Sequence, residues 1–100
     1  MTSRQLLEAF DRCTSRIEKT CDGAEADELP KHFKSEIMCL FNSLVFEDHL
    51  LWMCQKGKES VVAGDIEKAC RWLGFVQGAL CTKGLASIDE MRSWNAPPEA

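Results

Sequence analysis

Apolar residues recur every three or four positions along almost the whole chain, and this helical spacing is the strongest constraint on the fold. No segment shows the strict alternation of a half-buried β-strand, and tyrosine is absent. The 100 residues are 45% hydrophobic and 28% charged, a composition typical of one small globular domain rather than of a disordered chain. The sequence therefore predicts an all-α fold, a compact helical bundle of three main helices plus a short C-terminal helix, in a single domain spanning residues 1–100.

Capping and stop signals set the expected helix boundaries. Thr2 and Gln5 have the spacing of a capping box, as does the segment 87–90, and Asp65 is a favourable N-cap. Lys56-Gly57-Lys58 carries a glycine and two lysines, which favour a helix end. The predicted helices are 3–21, 30–55, 65–83 and 87–95, and an acidic linker occupies 22–29.

The second and third helices are predicted to be apolar on two sides, which is more apolar surface than a chain of this length readily covers. We therefore expect self-association or a groove for a partner. Aromatic residues and methionine are favoured at the centre of interfaces. The candidate interface residues are Phe46, Leu50, Met53, Trp72, Phe75 and Ala79. The alternative is that they pack on the first and fourth helices.

Two polar residues fall within the apolar arcs of these helices. Asp48 lies within the main arc of the second helix and Gln77 within that of the third. A buried carboxylate must be paired or hydrogen-bonded, because burying it alone costs several kcal/mol. Together with Arg71, these residues are candidates for a polar core contact or a ligand pocket. The alternative is that each lies where the helix faces diverge and meets water.

Gly74 and Gly78 lie four residues apart within the third helix. Each interior glycine costs about 1 kcal/mol of helix stability relative to alanine, so a packing reason is expected. We predict close backbone approach, either by another helix of this chain or by a partner chain or ligand.

The six cysteines, at positions 13, 21, 39, 54, 70 and 81, are expected to be mainly buried free thiols. The N-terminal residues show no secretory signal, which indicates a reducing, cytoplasmic compartment and disfavours disulfides. A zinc site that combines His32 and His49 with Cys39 and Cys54 is conceivable, but these spacings match no standard structural pattern. No metal and no cofactor is predicted.

Charge and motif content exclude several function classes. Twelve basic and sixteen acidic residues give a net charge of −4, which makes nucleic-acid binding unlikely. A helix-turn-helix interpretation of the last two helices fits poorly, because Asp89 and Glu90 would meet the phosphates. No nucleophile elbow or phosphate loop is present, so we expect no enzyme and no catalytic residues. No apolar run approaches the ~18 residues that a membrane span requires.

The segments Arg-Trp-Leu-Gly-Phe-Val-Gln-Gly at 71–78 and Ser-Ile-Asp-Glu-Met-Arg at 87–92 form a distinctive pair of helical motifs. Over about residues 65–95 the chain resembles small uncharacterised proteins of tailed bacteriophages and prophages. This resemblance implies a phage-derived protein that acts in the cytoplasm of the bacterial host, by binding a host or phage protein.

The leading hypothesis is a non-enzymatic protein-binding accessory factor that modulates a host process such as defence or gene expression, with homo-oligomerisation possible. The alternative is an oligomeric helical module that binds a small ligand in a pocket lined by Asp48, Arg71 and Gln77. The two hypotheses differ in what should copurify with the protein, a stoichiometric protein or a small molecule.

Overall fold

The computed structural model describes residues 1–28 and 44–96, and in these ranges it contains helices and no strands. The helices are α1 (Ser3–Thr20), α2 (Leu44–Val62), α3 (Ile66–Thr82) and α4 (Ile88–Asn95). The first three pack against one another, and α4 packs chiefly on α1. The predicted all-α bundle of three main helices and a short fourth is confirmed, whereas the predicted helical stretch 30–43 lies outside the described residues. Within the described ranges, no helix combines the length and apolar character needed to cross a bilayer.

The helix starts follow from the side chains that the sequence places there. The Thr2 hydroxyl accepts a hydrogen bond from the Gln5 backbone N–H (3.1 Å), and the Gln5 side chain accepts one from the Thr2 N–H (2.7 Å). Ser87 and Glu90 form the same reciprocal box at the start of α4. Asp65 caps α3 by accepting from the Lys68 N–H at 3.3 Å. All three predicted N-caps are confirmed.

The predicted end of the second helix at residue 55 is wrong, because α2 continues through Lys56-Gly57-Lys58 to Val62. Gly57 is buried, and a Cβ added to it would lie 2.2 Å from Cζ of the Phe10 ring. This glycine therefore provides close approach to α1 rather than a helix end. Two residues after the end of α2, Gly64 adopts a φ of +86°, the left-handed conformation that favours glycine. The Asp65 N–H then donates to the Ser60 carbonyl at 2.9 Å, which closes the last turn.

The core lies where α1, α2 and α3 meet. Each of the three helices contributes side chains that are almost fully buried, and the largest of them are Leu6, Phe10, Ile17, Leu50, Val76 and Leu80. From the C-terminal region, Met91 of α4 and Ala86 ahead of it complete the same cluster. The short fourth helix therefore contributes one buried methionine to the core.

A buried ion pair joins the first turn of α2 to the end of α3. The carboxylate of Glu47 lies 2.5 Å from Nζ of Lys83, and the two side chains are only 7% and 8% exposed. The same ammonium group lies 5.6 Å from the centre of the Phe46 ring. Within the described part of the chain, every buried side-chain nitrogen or oxygen has a hydrogen-bond partner.

Candidate protein-binding face

The side of α3 that points away from the core is exposed and carries little polar side-chain bulk. Its buried side consists of Ala69, Leu73, Val76, Ala79 and Leu80. At 100° per residue the opposite side is a strip of five exposed residues, here named the α3 outer face: Arg71, Gly74, Phe75, Gly78 and Thr82. A helix that leaves a phenylalanine between two glycines on its solvent side presents a surface suited to a partner.

Phe75 is the most informative residue of the α3 outer face. Its side chain is 52% exposed, although a buried aromatic ring is worth considerably more than an exposed one. Arg71 lies one turn earlier and is paired with Glu67 at 3.0 Å on the same helix. Thr82 is hydrogen-bonded through its hydroxyl to the Gly78 carbonyl at 3.0 Å. The polar groups at both ends are thus satisfied locally, and the apolar centre is left open.

Gly74 and Gly78 have nothing within 4 Å of an added Cβ among the described residues. Among the described residues no helix packs into this position, since the described helices lie on the opposite side of α3. Both glycines are exposed, so the backbone of α3 is accessible along two turns. The second prediction for these glycines, approach by a partner chain, stays open.

An aromatic groove of about 420 Å³ lies beside the outer face, between α2 and α3. The rings of Trp52 and Trp72 line it, with centroids 5.7 Å apart, and His49 stacks on Trp52 at 5.5 Å. Lys68 lies 4.9 Å from the centre of the Trp72 ring. Trp72 and Phe75 are one turn apart on α3, so the groove and the outer face adjoin.

The six predicted interface residues are divided by the structure. Four of them lie in the core, and that part of the prediction is wrong: Phe46, Leu50, Met53 and Ala79. The reason is that α2 packs against both α1 and α3, which covers both of its apolar sides within one molecule. Trp72 is half-buried in the groove and Phe75 is exposed, so these two remain available to a partner.

The predicted polar pocket does not form, because its three residues are engaged separately. Asp48 accepts a hydrogen bond from the backbone N–H of Glu25 at 2.8 Å, which fixes the acidic segment to α2. Arg71 is exposed on the outer face. Gln77 exchanges two hydrogen bonds with the Asn95 amide, at 2.8 and 2.9 Å, and so ties α3 to α4. Asp48 and Gln77 are each partly buried and satisfied, as expected for polar residues within an apolar arc.

The cysteines of the described ranges are free thiols: two are buried, Cys21 and Cys81 are half-buried, and one is exposed. Cys13 and Cys54 are buried, and burial raises the pKa of their thiols to about 12 and about 11, respectively. A hydrogen bond from Gln77 partly offsets the effect at Cys13. Cys70 is exposed, although the cysteines are predicted to be mainly buried, because the buried face of α3 centres on Leu73 and Val76. High pKa values keep the buried pair protonated and unreactive near neutral pH.

No cluster of metal-ligating side chains occurs among the described residues, and His32 and Cys39 of the conceivable zinc set lie outside them. His49 instead stacks on Trp52, and burial lowers its pKa. Cys54 lies in the core between α1 and α2. His49 and Cys54, the two residues of the conceivable zinc set that the structure describes, are therefore both engaged in packing.

Sequence reasoning found Phe75 and both glycines of the outer face but missed the aromatic groove. Neither Trp52 nor Lys68 is among the candidate residues predicted from the sequence. The available signal was the four-residue spacing of Lys68 and Trp72 on one helix face, a spacing that favours a cation–π contact.

Comparison with known proteins gives no match: no family model fits the chain, and no curated protein or solved structure is detectably similar to it.

Proposed function

We propose that this protein is a non-enzymatic protein-binding factor, and that its partner binds along the α3 outer face. The observation that carries the proposal is the exposed Phe75 ring between two glycines whose Cβ positions are open. Gly74 and Gly78 allow a partner backbone to approach closely, and the ring supplies apolar area that becomes buried on binding. The occupant that fits this geometry is an apolar helix of another protein.

The setting is a bacterial cytoplasm in which a phage or prophage supplies the protein, and the partner is a host or phage protein that takes part in defence or gene expression. The likeness of segments 71–78 and 87–92 to small phage proteins supports this setting. The first of these segments contains four of the five residues of the α3 outer face, so the motif and the surface coincide.

The binding of a small ligand by Asp48, Arg71 and Gln77 has no support in the geometry. Asp48 is hydrogen-bonded to Glu25, and Gln77 is hydrogen-bonded to Asn95. Arg71 lies on the exposed side of α3. We therefore retain one proposed function.

The test is affinity capture from a bacterial host lysate, followed by titration of the captured protein in purified form. Phe75→Glu and Gly78→Leu each change the outer face, and Val62→Glu is the matched control, because Val62 is an apolar side chain that is 81% exposed on α2. We expect a stoichiometric partner that binds the wild type and Val62→Glu equally and binds the two outer-face variants at least about tenfold more weakly. Unchanged unfolding temperatures for all three variants would show that the loss is one of binding.

Equal binding by all four proteins would refute the assignment of the outer face. A Gly78→Leu variant that fails to fold would show instead that this glycine serves the molecule's own packing.

A further inference from the structure

A second feature of the surface is a basic cleft of about 320 Å³ between α1 and α4, away from the α3 outer face. Trp94 of α4 lines one side of the cleft. The other lining residues come from α1 and are Asp11, Arg12, Ser15, Arg16 and Lys19. Asp11 is paired with Lys58 at 2.5 Å, and Arg16 is paired with Glu90. Arg12 and Lys19 carry unpaired positive charges, since neither forms an ion pair within the part of the chain that the structure describes.

The helix α1 fixes the backbone positions of the two free cations. They lie seven residues apart on α1, which is two turns or about 10.5 Å along the helix axis. Trp94 closes the cleft on the side of α4, and its ring is fixed by Arg16, which lies over it at 5.3 Å. The two positive charges of the cleft favour an acidic segment, and the Trp94 wall offers apolar contact beside them.

This chain carries such a segment itself. Residues 22–28 contain four acidic residues and no basic residue, and all four are exposed. None of them forms an ion pair with a described residue. The backbone N–H groups of Glu25 and Asp27 bind Asp48, at 2.8 Å to its side chain and 3.0 Å to its carbonyl, so the segment is anchored to α2 through its backbone. Of its carboxylates, that of Glu28 acts electrostatically on His49.

We propose that the α1–α4 cleft binds the acidic segment of a second copy of this chain. In a two-fold dimer the cleft of each copy receives the acidic segment of the other, so both contacts form at once. The whole chain has a net charge of −4, so two copies repel each other at long range and attract only where these patches meet. Salt screens such exposed pairs, and the dimer is therefore favoured at low ionic strength.

The experiment is a charge-swap series followed by analytical ultracentrifugation at about 20 mM and about 500 mM salt. Arg12→Glu with Lys19→Glu reverses the two free charges of the cleft. Glu25→Lys with Asp27→Lys reverses two of the four acidic charges of the segment, which leaves it without net charge and keeps its backbone hydrogen bonds. We expect the wild type to dimerise at low salt, each reversed variant to dimerise at least about tenfold more weakly, and an equimolar mixture of the two to recover the dimer.

Matched controls are Arg4→Glu with Lys56→Glu and Glu59→Lys with Glu67→Lys, which make the same charge changes at exposed sites outside the cleft and outside α4. They should dimerise like the wild type. Thermal unfolding of every variant verifies that the fold is retained.

Three results would overturn the proposal. The first is a wild-type monomer at both salt concentrations, the second is a dimer that neither reversal weakens, and the third is a mixture that stays monomeric. Titration with inorganic phosphate distinguishes another occupant: a monomer whose Arg12 and Lys19 resonances shift with phosphate would assign the cleft to a free anion.

Discussion

Arg16 connects more of the molecule than any other charged residue in the described ranges. Its guanidinium donates to the Leu85 carbonyl at 2.8 Å and to both carboxylate oxygens of Glu90, at 3.2 and 2.5 Å. The same group lies over the Trp94 ring. One side chain of α1 thus holds the loop before α4, the first turn of α4 and its last turn. A bidentate arginine suits this task, because the planar fork fixes direction as well as distance.

The Arg16–Glu90 pair predicts a specific pH dependence of stability. Hydrogen bonds from Arg16, and then from the Ser87 backbone, lower the pKa of Glu90 from 4.5 to about 2. Because the folded pKa is below the unfolded one, the stabilisation is complete above pH 4.5 and is lost as the pH falls towards 2. Urea unfolding of the wild type and Glu90→Gln should therefore show a stability difference that is constant from pH 5 to 7 and shrinks below about pH 4.5.

Asp89→Asn serves as the control for this measurement. Asp89 neighbours Glu90, but its side chain is 95% exposed and lies 3.9 Å from Arg92, an ion pair that solvent screens strongly. A stability gap for Glu90→Gln that persists unchanged at pH 3 would contradict the assigned role of Arg16.

Among the helices, α2 shows how a single glycine can decide the packing of two elements. Phe10 is fully buried, and its ring lies directly over the backbone at Gly57. Glycine is normally the poorest helix former after proline, yet here only glycine leaves room for the ring. The intrinsic cost to α2 is offset by the close contact between α1 and α2.

Substitution of the glycines by alanine should therefore give opposite results in α2 and α3. Gly57→Ala is expected to destabilise the fold by about 1–3 kcal/mol, because the new methyl group collides with Phe10. Gly74→Ala and Gly78→Ala should each stabilise it by about 0.5–1 kcal/mol, because both sites are open helix interior. Chemical denaturation of the three variants measures these values.

A double variant checks the cause. Phe10→Leu, which removes the ring, should reduce the penalty of Gly57→Ala. A stabilising Gly57→Ala, or a penalty that Phe10→Leu does not change, would show that the contact is absent.

The ion pair between Glu47 and Lys83 makes a second prediction about how α2 and α3 are joined. Lys83→Met leaves a buried carboxylate without its partner, and we expect a loss of about 3–5 kcal/mol of stability. The double variant Glu47→Leu with Lys83→Met buries no charge and should recover most of that loss.

Calorimetry of the two proteins decides between these outcomes. If the single variant were as stable as the wild type, Glu47 would have to be solvated in the folded state. Lys56→Met provides a reference for the loss of a lysine from an exposed pair, at 3.4 Å from Glu59.

How far the sequence predicted these elements depends on whether each signal was local. The N-caps at Thr2, Asp65 and Ser87 require only residues three positions apart, and all three predictions are confirmed. The role of Gly57 depends on Phe10, which is 47 positions earlier in the chain, so a local stop signal was the natural but wrong interpretation. A small error in helical phase likewise placed Cys70 inside, although it is exposed.

The candidate site likewise combines features that local sequence predicts with features that depend on tertiary packing. The exposed glycines and Phe75 were visible as an anomaly on one helix, because interior glycines require a reason. Periodicity does not show which apolar strips other helices cover. The coverage depends on how α2 lies between α1 and α3. For this reason four of the six predicted interface residues are buried in the core.

At the scale of the whole molecule, stability is expected to be uneven. Three helices share the core, whereas α4 has eight residues and packs chiefly on α1. An isolated helix shorter than about 12–15 residues is marginal in water, so α4 exists only because it is docked. Its attachments are the buried Met91, the Gln77–Asn95 pair and the contacts of Arg16. Such a unit is the first to open in native-state exchange.

Arg16→Met should release α4 while leaving the rest of the bundle folded. Methionine keeps an apolar stem against Trp94 but removes the hydrogen bonds to Leu85 and Glu90. In hydrogen exchange followed by mass spectrometry, amides of 88–95 should exchange about tenfold faster or more, and those in the buried parts of α1 and α3 should not change. Arg4→Met, which removes an exposed pair on the same helix, should leave α4 protected.

Because Trp94 forms one wall of the basic cleft, the release of α4 also opens that cleft. Arg16→Met is therefore expected to weaken any binding at the α1–α4 cleft, and binding at the α3 outer face should be unaffected. The two surfaces differ in this respect because Phe75 and both glycines lie on a helix whose other side is held by the core. Uniform acceleration of exchange along the whole chain would contradict this division, since it would mean that α4 unfolds only together with the three main helices.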